Sequence, residues 1–430
     1  MILISDTPMR GDCMETRLSF LDKLRLFYLI LFERLSVRYY REDAKGGALI
    51  PSWMKDMLSY GFNVVIGSIR TSSRYRRSGS YGKGQKTKLQ IYLDNLMWAL
   101  RYKETNGDYY VYGLDKIGSN PKEYLANTEF RVIRNILNIR VHENVRNTIY
   151  CYNYLCLLRD KFVFGQICDS LGVSHPETYG VSSNGRIYWQ GLGGDGFEDI
   201  CAESLPRSID AFCKERSGCL GVNIFALRVE NGVVYINDQR ASIEELKSRV
   251  ESTDYIIQKR VYQHSVLNSI YPHSINTIRL VTIRNSAGEI VVLASILRVG
   301  SGGGIIDNAA RGGLVIGINM SNGCLYDQGF YKPKYGGYSV ERHPDTDIRF
   351  AGITIPFYEE ATTMAQRFHA TLTGINSIGW DIAITDKGPI FIEGNEDWEI
   401  EGIQIAHGGQ KKRFYELQGH ALKVPLRKVR

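Results

Sequence analysis

The stretch Ser377–Asn395 reads SIGWDIAITDKGPIFIEGN. Two apolar runs, Trp380–Ile384 and Pro389–Ile392, flank Thr385-Asp386-Lys387-Gly388, and this pattern predicts a β-hairpin. Residues two apart on a strand share a face, so Glu393 and Asn395 point the same way. With a loop of about five residues, Asp381 falls opposite or diagonal to Glu393. Two carboxylates and a carboxamide then converge on an otherwise apolar sheet. Like charges so close repel and raise a pKa unless a cation lies between them. A hard divalent cation with oxygen ligands is the natural partner, and magnesium binds through one or two carboxylates plus substrate phosphates. The competing reading makes Asp381 a strand-end charge and pairs Glu393 with a lysine.

Around this hairpin the chain alternates short β-rich runs with turn signals. Strands are expected at Asn223–Leu227, Val233–Ile236, Tyr255–Gln258, Thr277–Ile283 and Ile290–Ile296, with hairpin turns at Asn231-Gly232 and Ala287-Gly288. Helix returns at about Glu359–Thr373. Upstream, Pro121 opens a helical stretch that runs with breaks to about residue 170, and its last helix begins near Lys161 and stops at Gly172. The pattern is α+β with antiparallel hairpins, rather than a doubly wound parallel sheet.

Residues 1–125 read as a separate, largely helical N-terminal region, with helical periodicity over 18–40 and 88–103. Residues 126–262 form a helical lead-in and a central subdomain, and 263–430 form a C-terminal subdomain carrying the hairpin. The run Arg70–Lys88 holds Arg70, Arg74, Arg76, Arg77, Lys83, Lys86 and Lys88 among Ser and Gly. It reads as a solvated basic loop, with an anionic carrier, lipid head group or nucleic acid as the alternative partner. The apolar stretch Leu24–Leu35 is interrupted by Arg25, Glu33 and Arg34 and is shorter than the ~20 residues a span needs. It predicts a buried amphipathic helix, or else peripheral contact with a membrane surface.

The 430 residues suit two or three domains. A net charge of +7, from 53 basic and 46 acidic residues, fits an enzyme with anionic substrates and is too weak to argue for nucleic-acid binding. Glycine is abundant at 43 residues while proline is scarce at 11, which favours phosphate-handling loops and tight turns over disorder. The eight cysteines, among them Cys151, Cys156, Cys213 and Cys219, lack zinc-type spacing. They read as unreactive thiols in a reducing compartment; with no secretory signal, a cytoplasmic location is expected.

Several basic residues could hold a magnesium-bound triphosphate. Lys161 begins an amphipathic helix. Lys214 follows the apolar strand Ile209–Cys213 and precedes a loop with Gly218 and Gly221, which can turn N–H groups toward an anion. A Walker motif is absent. Arg279 lies in the β-branched strand Ser274–Ile283 and Arg298 ends the next strand. Asp307-Asn308-Ala309-Ala310-Arg311-Gly312-Gly313 follows a glycine run, Gly302–Gly304, and reads as a pocket wall. A surface ion pair is the alternative for each arginine.

Over about residues 120–410 these pieces together resemble the ATP-grasp superfamily, and most closely the sugar-transfer associated ATP-grasp family. The carriers are Asp160-Lys161-Phe162, Lys214 with its glycine loop, Gln258-Lys259-Arg260-Val261, His273–Arg279, Asp307-Asn308 with Gly312-Gly313, His343-Pro344-Asp345-Thr346, Gly379-Trp380-Asp381 and Glu393-Gly394-Asn395. The resemblance implies a fold of two α+β subdomains clasping ATP. Lys161 and Lys214 would contact ATP phosphates, and Arg279 would face them. Gln258, Lys259 and Val261 would lie on the strand that reads the adenine edge, with His264 reaching the ribose. Asp381, Glu393 and Asn395 match the ligands of magnesium, expected as two ions with manganese as a substitute. Arg298, Asn308 and Arg311 would lie near an acyl phosphate.

The implied activity is an ADP-forming ligase. It would couple a small-molecule or glycan-precursor carboxylate, such as a sugar acid, to an amine or amino acid, with no nucleic-acid partner. A kinase acting on a hydroxyl and a non-catalytic scaffold in glycan assembly are the rival readings. Two departures stand out. Many amide-forming relatives carry an arginine where this chain has Gly379, and the hinge commonly has a glutamate where Lys259 or Arg260 stands here.

Overall fold

A computed structural model describes residues 64–73, 84–140, 156–189, 208–218, 223–251, 253–304 and 312–423. The expected helix over 18–40 and the middle of the basic run, residues 74–83, lie outside them. The two ends of that run are folded. Arg70 sits on helix α1 (residues 64–73), and Lys86 is tied to Asp94 at 2.8 Å and to the Ser119 carbonyl at 2.9 Å.

Helix α2 (Lys88–Tyr102) starts on a capping box, in which Thr87 and Gln90 satisfy each other's backbone donors. Helices α3 (Asn127–Arg140), α4 (Cys156–Arg159) and α5 (Lys161–Leu171) follow. Asp160 caps α5 by accepting from Phe162 N and Val163 N, and Gly172, at φ 63°, ends it in the left-handed conformation that glycine adopts without cost.

Seven strands then build a first antiparallel sheet: β1 (Thr178–Ser183), β2 (Arg186–Trp189), β3 (Ser208–Glu215), β4 (Phe225–Glu230), β5 (Val233–Ile236), β6 (Gln239–Ala241) and β7 (Tyr255–Lys259). Their order is β2-β1-β7-β3-β4-β5-β6. Asn231-Gly232, at φ 48° and 76°, makes the expected tight turn between β4 and β5. Ile209, Ala211, Cys213, Tyr255 and Ile257 face the core of this lobe, with helix α6 (Ile243–Glu251) packed on it through Leu246 and Val250.

The chain crosses to the second lobe through residues 260–264. Arg260 N–H donates to Asp210 O at 2.9 Å, and His264 N–H donates to Ile384 O at 2.7 Å. After helix α7 (Ser265–Ile270), a second sheet is built from β8 (Thr277–Arg284), β9 (Ile290–Val299), β10 (Leu314–Ile318), β11 (Leu325–Tyr331), β12 (Ser339–Val340), β13 (Ser377–Thr385) and β14 (Gly388–Asn395). Its order is β12-β11-β10-β9-β8-β13-β14, again antiparallel throughout. The antiparallel reading of the sequence therefore holds in both lobes.

Each face of this second sheet is covered differently. On one face Ile278, Leu280, Trp380, Ile382 and Phe391 pack against α5, α7 and helix α8 (Tyr358–Thr371). The Trp380 ring lies 4.9 Å from Phe368 and 5.4 Å from Phe391, and its Nε1–H donates to Thr282 Oγ1 at 2.8 Å. Truncating one such aromatic costs about 3–5 kcal/mol. On the other face α3 and helices α9 (Glu401–His407) and α10 (Lys411–Lys423) cover one end through Phe130, Ile403 and Phe414. The rest of that face carries Asp381.

Candidate active site

The hairpin forms, but its geometry differs from the expectation in one respect. Thr385 pairs with Gly388, so the loop has two residues rather than about five. A two-residue loop alone would set Asp381 opposite Ile392. Instead Ile382 pairs with Phe391 while Asp381 pairs with Glu393, so Ile392 is an extra residue, a β-bulge. The bulge has a chemical consequence. Phe391 faces the buried aromatic core; by strict alternation Glu393 and Asn395 would face it too. The extra residue turns both onto the opposite face, where Asp381 and Arg279 lie.

Asp381 is 4% exposed. Arg279, its neighbour on β8, donates from Nε at 2.5 Å and from Nη2 at 3.0 Å; Arg298, on β9, donates from Nη1 at 2.8 Å. Burial acts to raise the Asp381 pKa, but the two guanidinium groups outweigh it and hold the carboxyl well below the usual carboxylate range. Glu393 behaves oppositely. Burial and then the neighbouring Asp381 charge push its pKa up, and Lys161 works against them. Lys161 Nζ is 3.7 Å from Glu393 Oε2 and donates to Gly218 O at 2.7 Å. Asn395 Nδ2 donates to Glu393 Oε1 at 3.2 Å, which leaves its own carbonyl oxygen as an acceptor. Three cations thus surround two carboxylates. The cluster is net positive and suits a polyanion better than a bare cation.

The donor set also fits a magnesium ion shared with phosphates. A carboxylate offers about four lone-pair sites; three N–H groups use three of those on Asp381, and Glu393 lies within hydrogen-bonding reach of it. Glu393, whose side chain is 28% exposed, and the Asn395 carbonyl supply further hard oxygens. Among the described residues no group of three His, Cys, Asp or Glu forms a metal cage.

In the first lobe, Lys214 and Gln258 share the sheet face turned away from the lobe's core, since Phe212 pairs with Gln258 and Lys214 with Ile256. Gln258 is buried, and its Oε1 has no hydrogen-bond partner. An unpaired buried acceptor costs about 1–3 kcal/mol, so this atom fits a ligand that brings an N–H donor.

A family model for sugar-transfer associated ATP-grasp proteins matches residues 141–415. The chain belongs to that family. Among solved structures it is similar to N5-carboxyaminoimidazole synthase from Aspergillus clavatus in complex with ADP, at 10% identity and a TM-score of 0.36, covering 64% of this chain and 54% of that one. It is similar to D-alanine–D-alanine ligase from Bacillus anthracis complexed with ATP, at 12% identity and a TM-score of 0.32, covering 63% and 69%. It is also similar to the biotin carboxylase domain of 2-oxoglutarate carboxylase from Hydrogenobacter thermophilus, at 13% identity and a TM-score of 0.38, covering 69% and 52%. The chain thus spans about half the length of the first and third of these. No curated protein sequence matches it.

The remaining candidates of this ATP-grasp protein fall in distinct places. The Lys259 side chain points outward and pairs with Glu177 at 2.9 Å. Val261 lies in the crossing between the lobes. The His264 ring caps α7, accepting from Val266 N at 3.1 Å through Nδ1, with Nε2 3.8 Å from Asp386. Asn308 and Arg311 lie outside the described residues. Three contacts around the site are not legible as motifs. Arg216 binds the α5 cap, donating from Nη2 to Asp160 Oδ2 at 2.7 Å, and Lys161 N–H donates to Arg216 O at 3.0 Å, which joins the two lobes beside the site. Glu396, next to Asn395, pairs with Arg159. Arg134 of α3 pairs with Asp397 and donates to Trp398 O at 2.6 Å. A separate cleft of about 550 Å³ lies at the turn end of the hairpin, lined by Asp169, His175, Glu177 and Lys387 among others; it contains none of Asp381, Glu393 and Asn395.

Proposed function

We propose that this ATP-grasp protein is an ADP-forming ligase that activates a carboxylate as an acyl phosphate and couples it to an amine. The observation that carries the reading is the Asp381–Glu393 pair, set by the Ile392 bulge among Arg279, Arg298 and Lys161. A substrate carboxylate oxygen would form a bond to the γ-phosphorus of ATP as the bond to the β–γ bridging oxygen breaks, releasing ADP. The amine would then attack the acyl carbonyl, lose a proton, and expel phosphate.

Asp381, Glu393 and Asn395 would hold magnesium, which supplies charge neutralisation at the phosphate oxygens. Lys161 and Arg279 would orient the phosphates, and Lys214 would approach them from the first lobe. The buried Gln258 Oε1 would accept from the adenine amino group. These are positioning and electrostatic roles, as phosphoryl transfer requires, and no protein nucleophile is needed. A sugar acid or other glycan-precursor carboxylate with an amine or amino acid is the substrate class in keeping with the family's association with sugar transfer.

The test is to incubate the protein with ATP, magnesium, candidate sugar acids and amines, and to quantify ADP, AMP and phosphate. ADP and phosphate formed only when both acceptors are present support the ligase. AMP release contradicts it, and a stable phosphorylated product that needs no amine selects the kinase reading.

A further inference from the structure

Arg159, Asp160 and Lys161 are consecutive in the chain and reach three different places. Arg159 pairs with Glu396, the residue after Asn395. Asp160 Oδ2 accepts from Arg216 Nη2 of the first lobe at 2.7 Å. Lys161 Nζ lies between Gly218 O, at 2.7 Å, and Glu393 Oε2, at 3.7 Å. The two sides of this tripeptide are held differently. Toward the second lobe the hold includes close packing. A Cβ on Gly394 would come within 2.9 Å of Leu158 Cδ2, and the Phe164 ring stacks on Phe368 at 5.7 Å. Toward the first lobe the hold at residues 160 and 161 is polar, and it converges on Arg216 and Gly218.

Arg216 meets the start of α5 twice. Its guanidinium grips the Asp160 carboxylate, with Nε also 3.4 Å from Oδ1, and its carbonyl accepts from Lys161 N–H at 3.0 Å. An N–H at a helix start has no partner inside the helix, so Arg216 O supplies one that α5 cannot. The guanidinium also lies over the Phe162 ring, 5.5 Å from its centroid. Arg216 is in turn fixed within the first lobe, where its N–H donates to Asp254 O at 2.9 Å beside the entry to β7. Asp160 therefore has two duties: Oδ1 caps α5 and Oδ2 receives Arg216.

These contacts bear on Lys161. A lysine has a flexible four-carbon stem, and setting its ammonium against a phosphate requires a fixed backbone and few open rotamers. Arg216 O pins the Lys161 backbone, and Gly218 O, two residues further on, holds the ammonium. An ammonium has three donors. Gly218 O takes one, Glu393 draws a second by charge, and among the described residues the third is left for a phosphate oxygen.

We infer that Arg216 is a positioning residue for the nucleotide phosphates: gripping Asp160 and accepting from Lys161 N–H, it fixes the start of α5 against the first lobe and so aims the Lys161 ammonium beside Glu393. Arg216 acts through Lys161 and does not itself touch the nucleotide. This inference rests on the nucleotide half of the reading above and is independent of the acceptor substrate.

The test is a double-mutant cycle read as the Kd of ATP with magnesium, measured by calorimetry on the full chain without acceptor. Arg216→Gln removes the grip. Asp160→Asn removes the same ion pair while keeping an oxygen to cap α5, so its Tm should stay near the wild-type value. Each change should raise Kd about tenfold, the equivalent of one charge-assisted hydrogen bond. Lys161→Met should weaken binding at least as much, and adding Arg216→Gln to it should change nothing further. A lost structural contact, or a direct contact of Arg216 with ATP, would instead weaken binding as much without Lys161 as with it, and that result overturns the inference. So does an unchanged Kd in both Arg216→Gln and Asp160→Asn. A wild-type chain that binds no ATP with magnesium overturns the nucleotide site itself, and this inference with it.

Discussion

Trp398 lies over Gly379: a Cβ on that glycine would come within 2.6 Å of the tryptophan Cβ and 3.3 Å of Arg279 Cδ. The place where many amide-forming ATP-grasp enzymes keep an arginine is therefore filled from two sides, by Trp398 and by an arginine from the neighbouring strand. Trp398 is itself fixed, with Nε1–H on Ser377 Oγ at 3.1 Å and its carbonyl on Arg134. Gly379→Arg should overpack this corner, cost about 1–3 kcal/mol, and displace Arg279 from Asp381. Thermal melting with and without ATP and magnesium checks it; a wild-type Tm with stronger nucleotide binding would refute the account.

Asp381 and Glu393 should respond oppositely to neutralisation, although they face each other. Asp381→Asn removes the buried carboxylate that Arg279 and Arg298 share, a loss of about 3–5 kcal/mol in the free protein. Glu393→Gln removes a carboxylate whose charge is already disfavoured by burial and by Asp381, so the free protein should keep its stability within about 0.5 kcal/mol. Both variants should lose magnesium-dependent stabilisation by ATP. Equal losses of stability in the free proteins would show that the arginines do not depend on Asp381.

Much of this was legible from residue pattern. The hairpins at Asn231-Gly232 and around Gly288, the stop at Gly172 and the strand Val233–Ile236 stand where turn chemistry and apolar runs place them, because those signals are local. A loop of about five residues predicts the facing of Asp381 and Glu393. It arises instead from a two-residue turn plus a bulge, and a period-two reading cannot register a single extra residue. Partners far apart in sequence were also hidden. Nothing local in Arg134 or Arg159 announces that they grip Asp397 and Glu396, and nothing in Lys259 announces that Glu177 draws it outward.

His369 sets an acid limit on stability. It is fully buried, with Nδ1 on Thr282 Oγ1 at 2.8 Å and Nε2 on Ile375 O at 3.0 Å, and burial pushes its pKa down to about 4. In the unfolded chain it titrates near 6.5, so between pH 6.5 and 4 the unfolded state takes up a proton that the folded state refuses. The stability from this group is complete above pH 6.5, falls as pH drops, and is lost by about pH 4, a change of about 3 kcal/mol. Urea unfolding across this range should show a wild-type slope that His369→Gln lacks. Parallel profiles for the two proteins would remove His369 as the cause.

The bulge itself can be tested by deletion. Removing Ile392 would restore regular pairing and place Glu393 directly after Phe391, where strict alternation sets it opposite Asp381 on the same face as in the wild type. The deletion variant should therefore fold and keep ATP- and magnesium-dependent stabilisation. Ile392→Gly keeps the extra residue while removing its side chain, and should do the same. The pair separates length from side chain. A deletion variant that folds but loses stabilisation by ATP and magnesium would mean that register alone does not aim Glu393 at Asp381.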